Sequence, residues 1–212
     1  MPALRFRRYT LAVGPQRVRL RTLLNSQQFT DPNGEAAALG ISSASWPLFG
    51  VVWPAGEALA RLMTTEAVAG KRILEVGCGI GLASLVLNQR RADVTATDHH
   101  PCAAAFLRHN VALNDGESIP FLRTDWLDGH TALGRFDLII GSDLLYERGH
   151  AYLLAQFIED HALPGCQVIL TDPGRGNTGR FSSTMVNRGY SGTTLSIAQG
   201  AGKTLRYSHT VA

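Results

Sequence analysis

Ile73-Leu74-Glu75-Val76-Gly77-Cys78-Gly79-Ile80-Gly81-Leu82-Ala83 passes from an apolar, β-rich run through three alternate glycines into a helical pattern. Glycines at this junction let the backbone turn sharply, and they let a ligand approach a helix N-terminus with no Cβ in the way. A dinucleotide-binding loop would read G-x-G-x-x-G/A and require a third small residue at position 82. Leu82 stands there instead. The pattern is E-x-G-x-G-x-G, with Glu75 two places before the first glycine. A carboxylate so close to the loop suits a cationic ligand group better than a pyrophosphate.

Downstream of this loop the chain is regular. Short apolar runs at 72–76, 93–97, 119–123, 136–141 and 167–171 alternate with helical stretches near 81–90, 101–113, 148–162 and 178–188. Strands and helices alternating at this spacing predict βαβ units, hence an α/β fold with a parallel sheet covered on both faces. The last segment departs from the rule. Thr193–Ala198 and Thr204–Thr210, joined by Gln199-Gly200-Ala201-Gly202, read as a hairpin that ends the sheet on an antiparallel edge. Upstream, helical periodicity begins near Ala55, and residues 25–56 read as loop around the turn Asp31-Pro32-Asn33-Gly34. Further upstream, Arg5-Phe6-Arg7 and Arg17-Val18-Arg19-Leu20-Arg21 alternate with period two on either side of Gly14-Pro15. That period predicts a β-hairpin rather than the amphipathic helix of a cleaved leader. The expected division is an N-terminal hairpin extension and loop over 1–45 and a main domain over 46–212.

Composition excludes several classes. Of the 212 residues, 45% are hydrophobic and 17% charged, which is a globular balance and not that of a disordered or fibrous chain. No apolar run approaches the ~18 residues of a membrane span. Cys78, Cys102 and Cys166 are odd in number and far apart, so neither a disulfide scaffold nor a zinc ribbon is expected. A reducing, cytoplasmic setting is the expectation. Net charge is +3, but the first thirty residues carry six arginines and no acid, leaving −3 for the rest. Such a basic strip is either a solvated strand face or a surface for RNA or an acidic protein.

Carboxylates mark the ends of the predicted strands. Asp98 closes the second run, 21 positions after Gly77, where it can accept hydrogen bonds from ribose hydroxyls. Asp125 follows the third run, with Trp126 beside it, and Asp143 follows the fourth. Any one of these acids could be a turn or N-cap residue. Together with the glycine loop they lie on the carboxyl edge where open α/β sheets bind ligands. His99 and His100 read as a polar loop. With Cys102 and His109 they fit no zinc spacing, so no metal is expected. No G-x-S-x-G nucleophile elbow occurs.

At these residues the chain resembles the class I, seven-β-strand S-adenosylmethionine-dependent methyltransferases, over roughly residues 46–212. A narrower likeness, to the family-16 protein methyltransferases with their many lysine methyltransferases, rests on Trp53-Pro54 and the D-x-x-Y motif Asp143-Leu144-Leu145-Tyr146. That family also contains bacterial nicotinamide N-methyltransferase-like proteins. The resemblance implies a Rossmann-like, doubly wound, mostly parallel seven-stranded sheet with S-adenosyl-L-methionine as cofactor. It assigns Gly77, Gly79 and Gly81 to the cofactor's methionine side and Glu75 to the amino group or the nearby loop. Asp98 goes to the ribose, Asp125 and Trp126 to adenine, and Trp53 packs near the cofactor. Asp143 and Tyr146 face the methyl acceptor as the catalytic pair, with Trp46, Phe49, Trp53 and Tyr146 as walls. The implied reaction is N-methylation of a protein lysine. A small-molecule or RNA acceptor and a non-catalytic interaction module are the alternatives. An NAD-dependent oxidoreductase is disfavoured by Leu82 and Glu75.

Overall fold

All seven runs read as strands of the main sheet are strands in the computed structural model, which describes residues 4–127, 131–147, 149–174, 176–197 and 202–209. The chain opens with β1 (Phe6–Val13) and β2 (Gln16–Leu23), then passes through α1 (Glu35–Ala38) and α2 (Pro54–Met63). The alternating part follows as β3 (Arg72–Val76), α3 (Leu82–Gln89), β4 (Asp93–Asp98), α4 (Ala103–Leu113) and β5 (Phe121–Arg123). It continues with β6 (Phe136–Ser142), α5 (His150–His161), β7 (Ala162–Asp172) and α6 (Thr178–Asn187), and ends in β8 (Tyr190–Ser196) and β9 (Lys203–His209). The main sheet has the order β5-β4-β3-β6-β7-β9-β8. β3 through β7 pair in parallel, whereas β9 pairs antiparallel with both β7 and β8. The fold class read from the sequence is the one observed.

The period-two side-chain rule explains the two cores. Ile73, Leu138, Ile140 and Ile169 point to one face, under α2, α3, α4 and the N-terminal hairpin. Leu74, Ile139, Val168 and Leu170 point to the other, under α5 and α6. Strands buried on both faces carry apolar residues at every position. α2 starts with Pro54 at its first turn, where a missing N–H costs nothing, and buries Ala55, Leu59, Ala60 and Met63 along one stripe.

Element boundaries differ from the expectation in three places. The third strand starts at Phe121 rather than at 119, because Pro120 has no N–H for the ladder and contributes only its carbonyl, which accepts from Ala96 N at 2.9 Å. β7 begins at Ala162, directly from α5, through an irregular pairing at Phe136/Leu138. β8 begins at Tyr190 and ends at Ser196; its junction with β9 at 198–201, like Thr210, lies outside the described residues. The loop-like stretch 25–56 holds α1 and two 3-10 turns, Ser26–Gln28 and Ser43–Leu48.

The N-terminal hairpin forms as expected, and its inner face is part of the main core. Val13, Val18, Leu20 and Leu23 are fully buried in the cluster that also holds Leu59 and Leu85. The expected boundary at 45/46 falls inside the Ser43–Leu48 turn. The outer edge of β2 would be an unpaired ladder, yet side-chain amides cover it. Asn110 Oδ1 accepts from Arg21 N (2.8 Å) and Asn114 Oδ1 from Arg19 N (2.9 Å), while Asn114 donates to Arg19 O (2.7 Å) and Gln89 to Arg17 O (3.1 Å). This blunts the edge against pairing with another chain. Asn114→Ala is expected to lower unfolding stability by about 0.5–1.5 kcal/mol, the net worth of hydrogen bonds at an exposed strand edge. Urea unfolding measures it, and an unchanged midpoint would show that the hairpin edge is held otherwise.

Candidate cofactor and acceptor site

β4 lies on one side of β3 and β6 on the other, so the winding direction reverses at β3. Reversal opens a crevice beyond the carboxyl ends of the strands. A cavity of about 680 Å³ occupies that position. Nine of the ten site residues expected from the sequence line it: Trp53, Glu75, Gly77, Gly79, Asp98, Asp125, Trp126, Asp143 and Tyr146. Gly81 does not.

The three loop glycines do different work. All have positive φ, +62° at Gly77, +56° at Gly79 and +83° at Gly81. A Cβ at Gly81 would stand 2.3 Å from Leu107 Cδ1, so this residue lets α4 pack against the start of α3. A Cβ at Gly77 would stand 2.4 Å from Leu144 Cδ2. At Gly79 a Cβ would meet nothing within 4 Å, and here the backbone borders open cavity. Gly79 is the glycine of the three at which a Cβ would meet ligand space rather than another side chain.

Asp98 is held by that loop. Its Oδ2 accepts from Gly79 N and its Oδ1 from His100 N, both at 2.7 Å. Burial pushes its carboxyl up from the ordinary value, and the two amides with His99 pull it back. Glu75 is buried with one oxygen committed to α3: Oε2 accepts from Ser84 N at 2.8 Å and from the Ser84 hydroxyl. Burial pushes this carboxyl up to about 7 against those hydrogen bonds, and the nearby Asp98 adds to the rise. Asp125 Oδ1 accepts from Leu127 N at 2.8 Å, closing a tight turn that presents Trp126. Trp53 donates its indole N–H to Leu48 O at 2.7 Å, which fixes the ring at the start of α2.

Of the pair expected to face the acceptor, Asp143 sits just past β6 with φ +55°, a conformation that Asp tolerates better than most residues. Its N–H donates to Thr171 O at 2.9 Å. Tyr146 is 41% exposed at the cavity rim. Phe49 lines the cavity as expected, whereas Trp46 packs against Phe29 at 5.9 Å and is not a wall.

Sequence reasoning missed three histidines. His99 and His100 form no polar loop. His99 Nε2 is 2.8 Å from Leu39 O, and His100 is buried and stacked on Phe49 with ring centroids 3.6 Å apart. Burial lowers the His100 imidazole to about 4, so it is neutral at pH 7. The pair pins the segment 39–49 across the cavity. His150, the first residue of α5, lines the cavity and lies edge-on to both Trp126 (5.0 Å) and Tyr146 (4.5 Å). Its only signal in the sequence is its place four residues past the D-x-x-Y tyrosine. Among the described residues no group of three His, Cys, Asp or Glu could hold a metal.

A reversed-winding sheet with a glycine loop after its first strand, an acid ending its second and an antiparallel strand inserted between its last two neighbours is the class I methyltransferase fold. Solved structures share it. The Thermus thermophilus 16S rRNA N2 G1207 methyltransferase superposes over 99% of this chain and 52% of its own, with TM-score 0.66 at 17% identity. The ribosomal protein L11 methylase of Lactobacillus delbrueckii does so over 72% and 77%, with TM-score 0.59 at 23% identity. Within that class the chain belongs to the lysine methyltransferase family, whose model matches residues 44–177. The electron transfer flavoprotein beta subunit lysine methyltransferase of Danio rerio is 35% identical over 133 residues, 61% of this chain and 51% of that protein. The protein N-lysine methyltransferase METTL21A of the same organism is 34% identical over 140 residues, 60% of this chain and 63% of that one. The chain spans about half the length of the first of these relatives.

Proposed function

We propose that the chain binds S-adenosyl-L-methionine along the carboxyl ends of β3, β4 and β5 and methylates a lysine side chain of a protein. The observation that carries the reading is Asp98, aimed by the Gly79 and His100 amides beside a backbone that only glycine leaves open. The residues present fit the cofactor. The cavity falls within the roughly 300–1,000 Å³ of small-molecule sites. Asp98 can accept from ribose hydroxyls, Trp126 offers a flat apolar face for adenine, and Glu75 puts carboxylate character near a cationic amino group. When bound, the cofactor supplies an electrophilic methyl group on a sulfonium. The protein's own task is alignment, water exclusion and the handling of one proton. A lysine ammonium, with pKa near ~10.4, has no lone pair until that proton leaves. Phe49, Trp53 and Trp126 give an apolar surround that favours the neutral amine, and Asp143 and Tyr146 are placed to orient it.

Calorimetry with S-adenosylmethionine and with NAD tests the cofactor reading, and binding of NAD alone would overturn it. Asp98→Ala is expected to weaken S-adenosylmethionine by about 1.5–3 kcal/mol, the scale of hydrogen bonds to a charged group. Unchanged affinity in a folded variant would mean that another acid holds the ribose. Labelled methyl transfer into a lysate, separated into protein, RNA and small molecules, tests the acceptor. Label in RNA or small molecules alone would overturn the protein-lysine assignment. We also propose a reducing, cytoplasmic setting. Support comes from Cys78, Cys102 and Cys166, all free thiols whose burial pushes them up from the ordinary value.

A further inference from the structure

A lysine amine can accept a methyl group only after it has lost a proton, and the site must supply somewhere for that proton to go. Among side-chain types, a carboxylate is a poor receiver. A carboxylate, ordinarily protonated near pH ~4, is too weak a base to draw a proton from an ammonium efficiently at neutral pH. A phenol is ordinarily protonated there already. Imidazole is the side-chain type that exchanges protons between about pH 5 and 8.

His150 has its tautomer set by the fold. Its Nδ1 lies 2.8 Å from the carbonyl oxygen of Leu144, inside the D-x-x-Y motif. A carbonyl can only accept, so Nδ1 carries the hydrogen and the lone pair of the neutral ring is on Nε2. The Glu147 carboxylate stands 3.5 Å from Nε2, near enough to stabilise an imidazolium. Trp126 and Tyr146 hold the ring edge-on from two sides. The titratable groups that line the cavity with it include Glu75, Asp98, His99, Asp125, Asp143 and Glu147, and Glu147 on its own loop pairs with the ring. A ring oriented through one nitrogen by a backbone carbonyl, with its lone pair on the other, is an arrangement that general-base catalysis can use.

We propose that His150, oriented by the Leu144 carbonyl and with Glu147 beside its Nε2, takes the proton from the acceptor lysine. The inference rests on the methyl-transfer reading above. In this step the ammonium N–H bond breaks, a new N–H bond forms at His150 Nε2, and the electron pair stays on the lysine nitrogen. The imidazolium, paired with Glu147, then returns its proton to solvent, which the 59% exposure of the Glu147 side chain allows.

The test uses the full chain, labelled S-adenosylmethionine and the protein fraction of a dialysed lysate, with methyllysine recovered after hydrolysis. Wild type yielding no labelled methyllysine overturns the methyl-transfer reading and this proposal with it. Given wild-type activity, His150→Gln is expected to cut the initial rate by about 10²-fold near pH 7. The deficit should shrink to a few-fold at about pH 10, where much of the lysine is already neutral. Cofactor affinity should be unchanged, and His150→Ala should regain rate with added imidazole. Glu147→Gln, at an exposed position, should show a smaller loss with the same pH trend. A deficit equal at both pH values, or a folded His150→Ala that imidazole does not rescue, overturns the proposal.

Discussion

Gly79→Val is expected to abolish measurable binding of S-adenosylmethionine in a chain that still folds. Two effects act at this residue. Its φ of +56° is one that a β-branched residue adopts only at a cost of about 1–3 kcal/mol, so the loop would shift. The side chain would also enter space that is open and that borders the cavity, where a ligand must approach the backbone. The Gly79 amide is moreover one of the two donors that aim Asp98, so a displaced loop disturbs the acid proposed to hold the ribose as well. Gly79→Ala, with a smaller side chain and less strain, should keep weak binding. Calorimetry together with thermal unfolding decides the matter. If the valine variant is folded and binds normally, the loop shapes the start of α3 and does not touch a ligand. The corresponding change at Gly81 should instead cost stability, since a Cβ there meets Leu107.

The contrast between these two glycines shows where the sequence was readable. The strand, loop and helix from Arg72 to Gln89 were legible because apolar period and glycine spacing are local signals. So was the placing of Asp98, Asp125 and Asp143 on one edge, because parallel strands in βαβ units bring every strand end to the same side. Which glycine faces the ligand was not legible. It depends on Leu107 and Leu144, side chains some 26 and 67 positions further on. The same reason hid His99 and His100. Their partners, Leu39 and Phe49, lie about fifty or sixty residues upstream in a stretch with no period to read. The hairpin was visible from its alternation, but its inclusion in the core was not. That follows from Val13, Val18, Leu20 and Leu23 packing with Leu59 and Leu85, residues far along the chain. The amides of Gln89, Asn110 and Asn114 that tie the hairpin's edge were hidden too, since nothing about a lone asparagine in a helical pattern announces a strand edge beside it.

Asp143→Asn is expected to lower turnover by about 10²-fold or more while cofactor affinity stays within a few-fold, the signature of a group that acts on the acceptor in the transition state. The substitution is a clean one. Asparagine shares aspartate's tolerance of the left-handed backbone, so the +55° φ is kept and the N–H can still donate to Thr171 O. What changes is the charge. A neutral amide can no longer attract the incoming ammonium or hold the amine in line. Tyr146→Phe should cost less, because the ring keeps its edge-on contact with His150 at 4.5 Å and only the hydroxyl is lost. Both variants need cofactor affinity and initial rate measured on the same preparation. Asp143 lines the same cavity as Asp98, so the opposite result has a clear meaning. If Asp143→Asn loses cofactor binding in proportion to its lost activity, the acid belongs to the cofactor. The lysine must then be oriented by the aromatic wall of Trp126, Tyr146 and His150 alone.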